Sequence, residues 1–245
     1  MRRVNRIEDG HKRVRVYLGG EVVADTTRPL LVWERPYHPV YYFPEADVRA
    51  DLLAETGETR RSPSRGDARS YTVEAGGKQA DDAAYGYADS EELSGYLAFR
   101  WEAMDNWFEE DEEVFVHARD PYTRVDILRS SRHIEVAVDG VTVADSHHPT
   151  ILFETGLPPR YYLPKVDIRM DLLDPAATVT RCPYKGTAEY WSVRAGGETY
   201  PDLAWSYRHP TSESAGIAGL VCFYNEKVDL AVDGRPQELA SSAFS

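Results

Sequence analysis

The chain has 245 residues, 42% hydrophobic and 28% charged, with a formal net charge of -13. That acidic excess repels nucleic-acid phosphates and anionic lipid surfaces, and no basic stripe offsets it, so neither is an expected partner. Two cysteines, Cys182 and Cys222, with no C-x-x-C pair, exclude a disulfide scaffold and a cysteine-rich zinc site.

The chain opens on a polar, charged stretch, Met1 to Gly10, without the apolar segment of a signal peptide, and no later run is long enough to span a bilayer. A cytoplasmic protein is expected. Val14, Val16 and Leu18 then alternate with other residues up to Gly19-Gly20, and the pattern resumes beyond it, which predicts a β-hairpin. A short apolar strand follows from Leu31 to Glu34, then a Pro-rich turn and the twin Tyr41-Tyr42. Tyr71, Val73 and Ala75 before Gly76-Gly77 signal a second hairpin, and Gly95 to Phe99 closes the pattern. The stretch from Trp101 to Arg129 is strongly acidic, yet Trp101, Trp107, Phe108, Val114 and Phe115 make it too apolar for a free tether.

Beyond it the chain repeats itself. Val14 to Tyr87 aligns without a gap on Ile134 to Tyr207, an offset of 120, and 27 of the 74 pairs are identical. The hairpin at Asp139-Gly140, the strand Ile151 to Glu154, Tyr161-Tyr162, and the hairpin at Gly196-Gly197 recur in order. Val166, Ile168, Met170 and Leu172 alternate with Asp167, Arg169 and Asp171, which favours a strand there over a helix. The expected plan is therefore all-β: a first domain over 1–100, a short helical or extended acidic connector over 101–130, and a second domain over 131–245.

Differences between the copies carry the functional signal. Arg61-Ser62-Pro63-Ser64-Arg65-Gly66 in the first becomes Arg181-Cys182-Pro183-Tyr184-Lys185-Gly186 in the second. A thiol, a phenol and an amine on one Pro/Gly turn are placed to reach a ligand. Cys182 beside basic residues is a candidate thiolate, and a desolvated Lys185 a candidate nucleophile. Glu34 and Glu154 end equivalent strands, where a carboxylate either pairs with an arginine (Arg49 and Arg169 being candidates) or serves as an acid/base. The Asp167, Arg169, Asp171 trio reads as a cross-strand charge cluster rather than a metal site, because the arginine supplies the positive charge. Most aromatics are core, though tyrosines around a turn lysine also suit a small-molecule cleft. His147 and His148 are adjacent on a loop and give no metal spacing, and Cys222 between Val221 and Phe223 reads as a structural thiol.

Together, the run from Cys182 to Trp191, Tyr161-Tyr162-x-Pro164, Asp167-x-Arg169 and Trp205-x-Tyr207 resemble the signature of the domain-of-unknown-function 427 family. The tandem plan with its acidic connector resembles two-copy members found in bacteria. The resemblance implies a pair of compact domains similar to the β-tent folds. Many of those hold zinc between paired C-x-x-C knuckles. This chain has none, so no metal or cofactor is expected. Some members carry a nucleotidyltransferase-like label, but the G-S-x-D-x-D pattern and a Gly-rich phosphate loop are missing here. The first copy departs from the signature at Ser62, Ser64 and Arg65, which casts it as the degenerate one.

Three readings remain open. The first is a module binding an unidentified small molecule in a second-copy cleft lined by Tyr161, Tyr162, Arg169, Tyr184, Lys185 and Trp191. The second is an enzyme using Cys182 or Lys185 as nucleophile, or Glu154 as acid/base. The third is a structural or protein-interaction module. Binding leads, because catalysis requires a positioned partner that spacing does not reveal.

Overall fold

The computed structural model describes residues 6–35, 37–62 and 65–239, apart from the side chain of Arg60. The chain divides into two units, Met1–Asp120 and Pro121–Ser245. In the first, the strands are β1 (Arg6–Asp9), β2 (Val14–Leu18), β3 (Glu21–Thr26), β4 (Leu30–Trp33), β5 (Val40–Pro44) and β6 (Leu53–Ser62). They are followed by β7 (Gly66–Ala75), β8 (Lys78–Gly86), β9 (Tyr96–Phe99), β10 (Asn106–Glu109) and β11 (Glu112–Val114). The second contains β12 (Val125–Arg129), β13 (Ile134–Val138), β14 (Val141–Ser146), β15 (Thr150–Glu154), β16 (Arg160–Leu163) and β17 (Leu173–Cys182). It ends with β18 (Gly186–Ala195), β19 (Glu198–Pro210), β20 (Val221–Phe223), β21 (Asp229–Val232) and β22 (Arg235–Pro236).

Both units share one topology. A seven-stranded antiparallel sheet, β1-β4-β5-β9-β8-β7-β6, faces a four-stranded one, β11-β10-β2-β3. Their counterparts are β12-β15-β16-β20-β19-β18-β17 and β22-β21-β13-β14. The all-β, two-copy expectation therefore holds.

Period-two alternation decides what each face does. Val14 and Val16 of β2, Phe43 of β5, Val73 of β7 and Trp107 of β10 meet in the core between the sheets. Ile134, Val136, Leu163, Val193 and Leu230 do the same in the second unit. The opposite face of each large sheet is also buried, around Val32, Tyr42 and Leu93 in the first unit and Leu152, Tyr162 and Ile217 in the second. The twin tyrosines thus split. Tyr41 and Tyr161 pack toward the inter-sheet core, Tyr42 and Tyr162 toward the outer cluster.

Two expectations are corrected. The segment 166–172 is not a strand but two 3-10 turns, Lys165–Asp167 and Met170–Leu172, joined by a single bridge of Ile168 to Ala144. The Asp167 carboxylate accepts a hydrogen bond from Ser146 Oγ at 2.6 Å, competing with ladder pairing, and Val166 is 91% exposed, so the apparent apolar face is incomplete. Arg169 closes a local fork on Asp171 rather than a cross-strand cluster.

The acidic stretch is not a separate connector over 101–130 either. Trp107 and Val114 are buried, so β10 pairs with β2, and the acidic residues Glu110 and Asp111 form the exposed turn to β11. From 121 onward the stretch belongs to the second unit, where β12 pairs with β15 as β1 does with β4.

In the first unit, two hairpin tips touch. Gly19 follows β2 at φ +60 and Gly76 follows β7 at φ +54; a Cβ on Gly76 would overlap the Gly19 carbonyl and lie 2.7 Å from its Cα. Gly77, at φ +75, has open space around it. Gly77→Ala is expected to cost about 1 kcal/mol, the backbone strain alone, and Gly76→Ala clearly more. Urea denaturation of the two variants tests this.

Candidate functional site

The two strand-ending carboxylates are met by the turn that differs between the copies. In the second unit, the β17–β18 turn carries Lys185 over the end of β15, where its Nζ donates to Glu154 with both side chains largely buried (13% and 9% exposed). In the first, Arg65 takes that place, its Nη1 lying 3.3 Å from Glu34 Oε1. An ion pair forms at each position, but its cation comes from the turn rather than from Arg49 or Arg169. Those two arginines are exposed and paired with Asp51 and Asp171.

The other expected second-copy residues divide. Tyr161 and Trp191 pack on the inter-sheet core, and Lys165 Nζ lies 5.2 Å from the Trp191 ring centre. Tyr162 is buried on the opposite face, its hydroxyl accepting from Trp205 Nε1 at 3.2 Å. Tyr184 is buried at 8% exposure, and its carbonyl is pinned by Thr211 Oγ1 at 2.6 Å and Ser214 Oγ at 3.0 Å. Cys182 is half-buried and, among the described residues, makes no side-chain hydrogen bond. Cys222 is fully buried, and burial pushes its thiol up to about 12. The sheet therefore separates Tyr161 and Trp191 from Tyr162, and Arg169 stands at the exposed turn beyond them.

The first unit holds a cavity of about 600 Å³. Glu34, Arg65 and Tyr85 form part of its wall; His38, His117 and Trp101 form another part. Glu34 accepts from the Tyr42 hydroxyl and from Tyr85 Oη at 3.2 Å. Burial, reinforced by that carboxylate, raises both phenols well above their ordinary value. The His38 and His117 rings stack 4.1 Å apart, and Trp101 stacks on Trp107 at 4.3 Å. Burial, then the neighbouring His117, push His38 below its usual range, which favours a neutral ring.

Four arginines, Arg35, Arg61, Arg65 and Arg100, line the cavity against the carboxylates of Glu34 and Glu102. Arg100 is held by Asp82 at 2.6 Å. The Arg65 side chain is only 7% exposed, and its Nη2 is buried without a hydrogen-bond partner among the described residues. Ser64, one of the positions where the first copy leaves the signature, lies outside the described residues, as does Pro63.

Strand register explains why the second unit differs here. Tyr42 pairs with Ala98, and Tyr162 with Cys222, so Arg100, Trp101 and Glu102 correspond to Tyr224, Asn225 and Glu226. Val40, on the cavity wall, corresponds to Arg160, whose guanidinium forms a bidentate pair with Glu226 beside the rings of Trp205 and Tyr224. Where the first unit has a valine, the second has a long side chain occupying the equivalent position.

The duplicated topology and the matched turn are features of one family. The family model described as a domain of unknown function, DUF427, matches residues 6–110 and again 126–234. The chain belongs to the DUF427 family. Both matches reach past the ends of the aligned repeat, taking in β1 and β10 in the first DUF427 unit and most of β12, with β21, in the second. No protein of curated function matches the chain. Among the described residues no helix is long and apolar enough to cross a membrane.

Sequence reasoning missed Arg65, Tyr85, His38 and His117 as site residues. A signal was available: Glu34 and Arg65 repeat the charges of Glu154 and Lys185 at the same offset.

Proposed function

We propose that this chain is a small-molecule-binding protein whose first unit takes an anionic ligand with an aromatic or apolar portion. The observation that carries the reading is the buried Nη2 of Arg65 on the wall of the first-unit cavity, without a hydrogen-bond partner among the described residues. A buried guanidinium nitrogen left without an acceptor costs roughly 1–3 kcal/mol, and a ligand oxyanion supplies that acceptor. The cavity falls within the size range of small-molecule sites. Trp101 and Tyr85 supply flat apolar surface, and Arg61 and Arg35 add positive potential for an acidic ligand. Free thiols at Cys182 and Cys222 suit a reducing, cytoplasmic setting.

The reading differs from a second-copy cleft in a testable way. Titration calorimetry of the full chain with phenyl phosphate is expected to show binding that Arg65→Gln weakens about tenfold or more, the worth of one charge-assisted hydrogen bond. Lys185→Gln is expected to leave it unchanged. Loss of binding at Lys185→Gln but not at Arg65→Gln would move the site to the second copy, and the absence of any binding in the wild type would remove the proposal.

A further inference from the structure

A second difference between the copies lies on the four-stranded sheets. In the first unit, Asp25 of β3 stands opposite Arg15 of β2, and Arg13 clasps it from the start of that strand, with Nε to Oδ1 at 2.8 Å and Nη2 to the other oxygen. The carboxylate is thus neutralised by fixed cations, and Thr27 follows on the turn.

The second unit keeps the carboxylate, Asp145, and replaces all three neighbours. Arg13 becomes His133, Arg15 becomes Glu135, and Thr27 becomes His147. Glu135 and Asp145 are direct cross-strand partners, a like-charge arrangement that destabilises a sheet unless something positive sits beside it. Arg132, the nearby guanidinium, is directed to Asp233 at 2.8 Å. What faces the two carboxylates is imidazole. His133 Nε2 is 2.7 Å from Asp145 Oδ1, its Nδ1 is 3.9 Å from Glu135 Oε2, and the His147 ring stacks on it at 4.1 Å. Ligand atoms of His133, Asp145 and His147 all lie within 4.8 Å of one another.

We propose that His133, Asp145 and His147 form a surface site for a divalent transition metal of the zinc class. Two imidazoles and one carboxylate are a donor set that zinc takes with water in the remaining position. Glu135 Oε2 stands 3.9 Å from the other nitrogen of His133, near enough to close into the carboxylate–histidine–metal arrangement that fixes a ligand ring. The two rings stack at an interplanar angle of 10°, so His147 has to turn out of the stack for both imidazoles to reach one ion. In this reading the metal supplies in the second unit the positive charge that Arg13 and Arg15 supply in the first. The adjacency was hidden in the sequence because His133 and His147 lie on either side of a hairpin, and only pairing of β13 with β14 brings them together.

The first unit provides the control. His133→Arg with His147→Thr installs the residues that already work around Asp25, so the fold is expected to survive. Calorimetry of the full chain with zinc chloride should show one tight equivalent for the wild type. The double variant should bind about tenfold more weakly or worse, since losing a ligand costs at least what losing a ring-holding partner does. Co2+ should give visible absorption bands in the wild type that the double variant lacks. Should circular dichroism show the double variant misfolded, His147→Thr alone serves, with the same expected weakening. Equal zinc binding by wild type and folded variant, or none by the wild type, overturns the proposal. Neither result bears on Arg65 and its cavity.

Discussion

Arg160→Ala is expected to destabilise the second unit by about 3–5 kcal/mol, the cost of breaking a buried ion pair by removing one member. Arg160 Nη1 and Nη2 donate to Glu226 Oε2 and Oε1 at 2.6 and 2.7 Å, and the two side chains are 9% and 1% exposed. The guanidinium lies 5.5 Å from the Trp205 ring centre and 5.9 Å from that of Tyr224, so truncation also removes apolar packing from its stem and plane. Denaturant unfolding should show the second unit's transition moving to lower urea while the first unit's stays in place. Arg160→Met combined with Glu226→Leu should recover most of the loss, because a well-packed apolar pair replaces a buried salt bridge at little cost. A double variant as unstable as the single one would show that the pair's geometry, and not its uncompensated charge, dominates. The same substitution bears on the comparison of the copies: Arg160 stands where the first unit has Val40, so its removal is expected to open in the second unit the space that the first unit already has.

The duplication, the hairpins and the strand-ending carboxylates were legible because each rests on local pattern. Gly19-Gly20 and Asp139-Gly140 mark turns by themselves, and Val14-x-Val16-x-Leu18 declares its buried face within five residues. The acidic stretch was harder to place. Its charges suggested solvent, yet Trp107 and Val114 bury one face of a hairpin and leave the charges on the turn, a division that only the partner strand β2 makes visible. The site was harder still. Glu34 was recognised as a carboxylate in need of a cation, but Arg65 reaches it from 31 residues away through the fold of β6 and β7, whereas Arg49 is nearer in sequence and spends its charge on Asp51. Tyr161 and Tyr162 looked like one feature because they are adjacent; in a strand, adjacency places side chains on opposite faces.

Raising the pH to about 11 or above is expected to unfold the second unit cooperatively, before its buried phenols ionise in place. Tyr162 and Tyr207 are buried, and desolvation lifts both phenols far above their ordinary value near 10; burial also pushes the Cys222 thiol up to about 12 from 9. In each case the unfolded chain loses its proton first. Above the unfolded value the native state therefore binds more protons than the unfolded one, and stability falls as pH rises. Cys222 begins this decline near pH 9 and the tyrosines join it near 10, each contributing a slope of about 1.4 kcal/mol per pH unit. Three such groups remove about 4 kcal/mol per unit, against a domain stability of roughly 5–15 kcal/mol, so unfolding is expected from about pH 11 upward. Phenolate absorbance at 295 nm should rise in a step coincident with loss of the sheet signal in circular dichroism. Tyr207→Phe should shift that step to higher pH, since phenylalanine has no proton to lose. Smooth ionisation of all 16 tyrosines near pH 10, with the sheet signal intact, would show that Tyr162 and Tyr207 are reached by water in the native state.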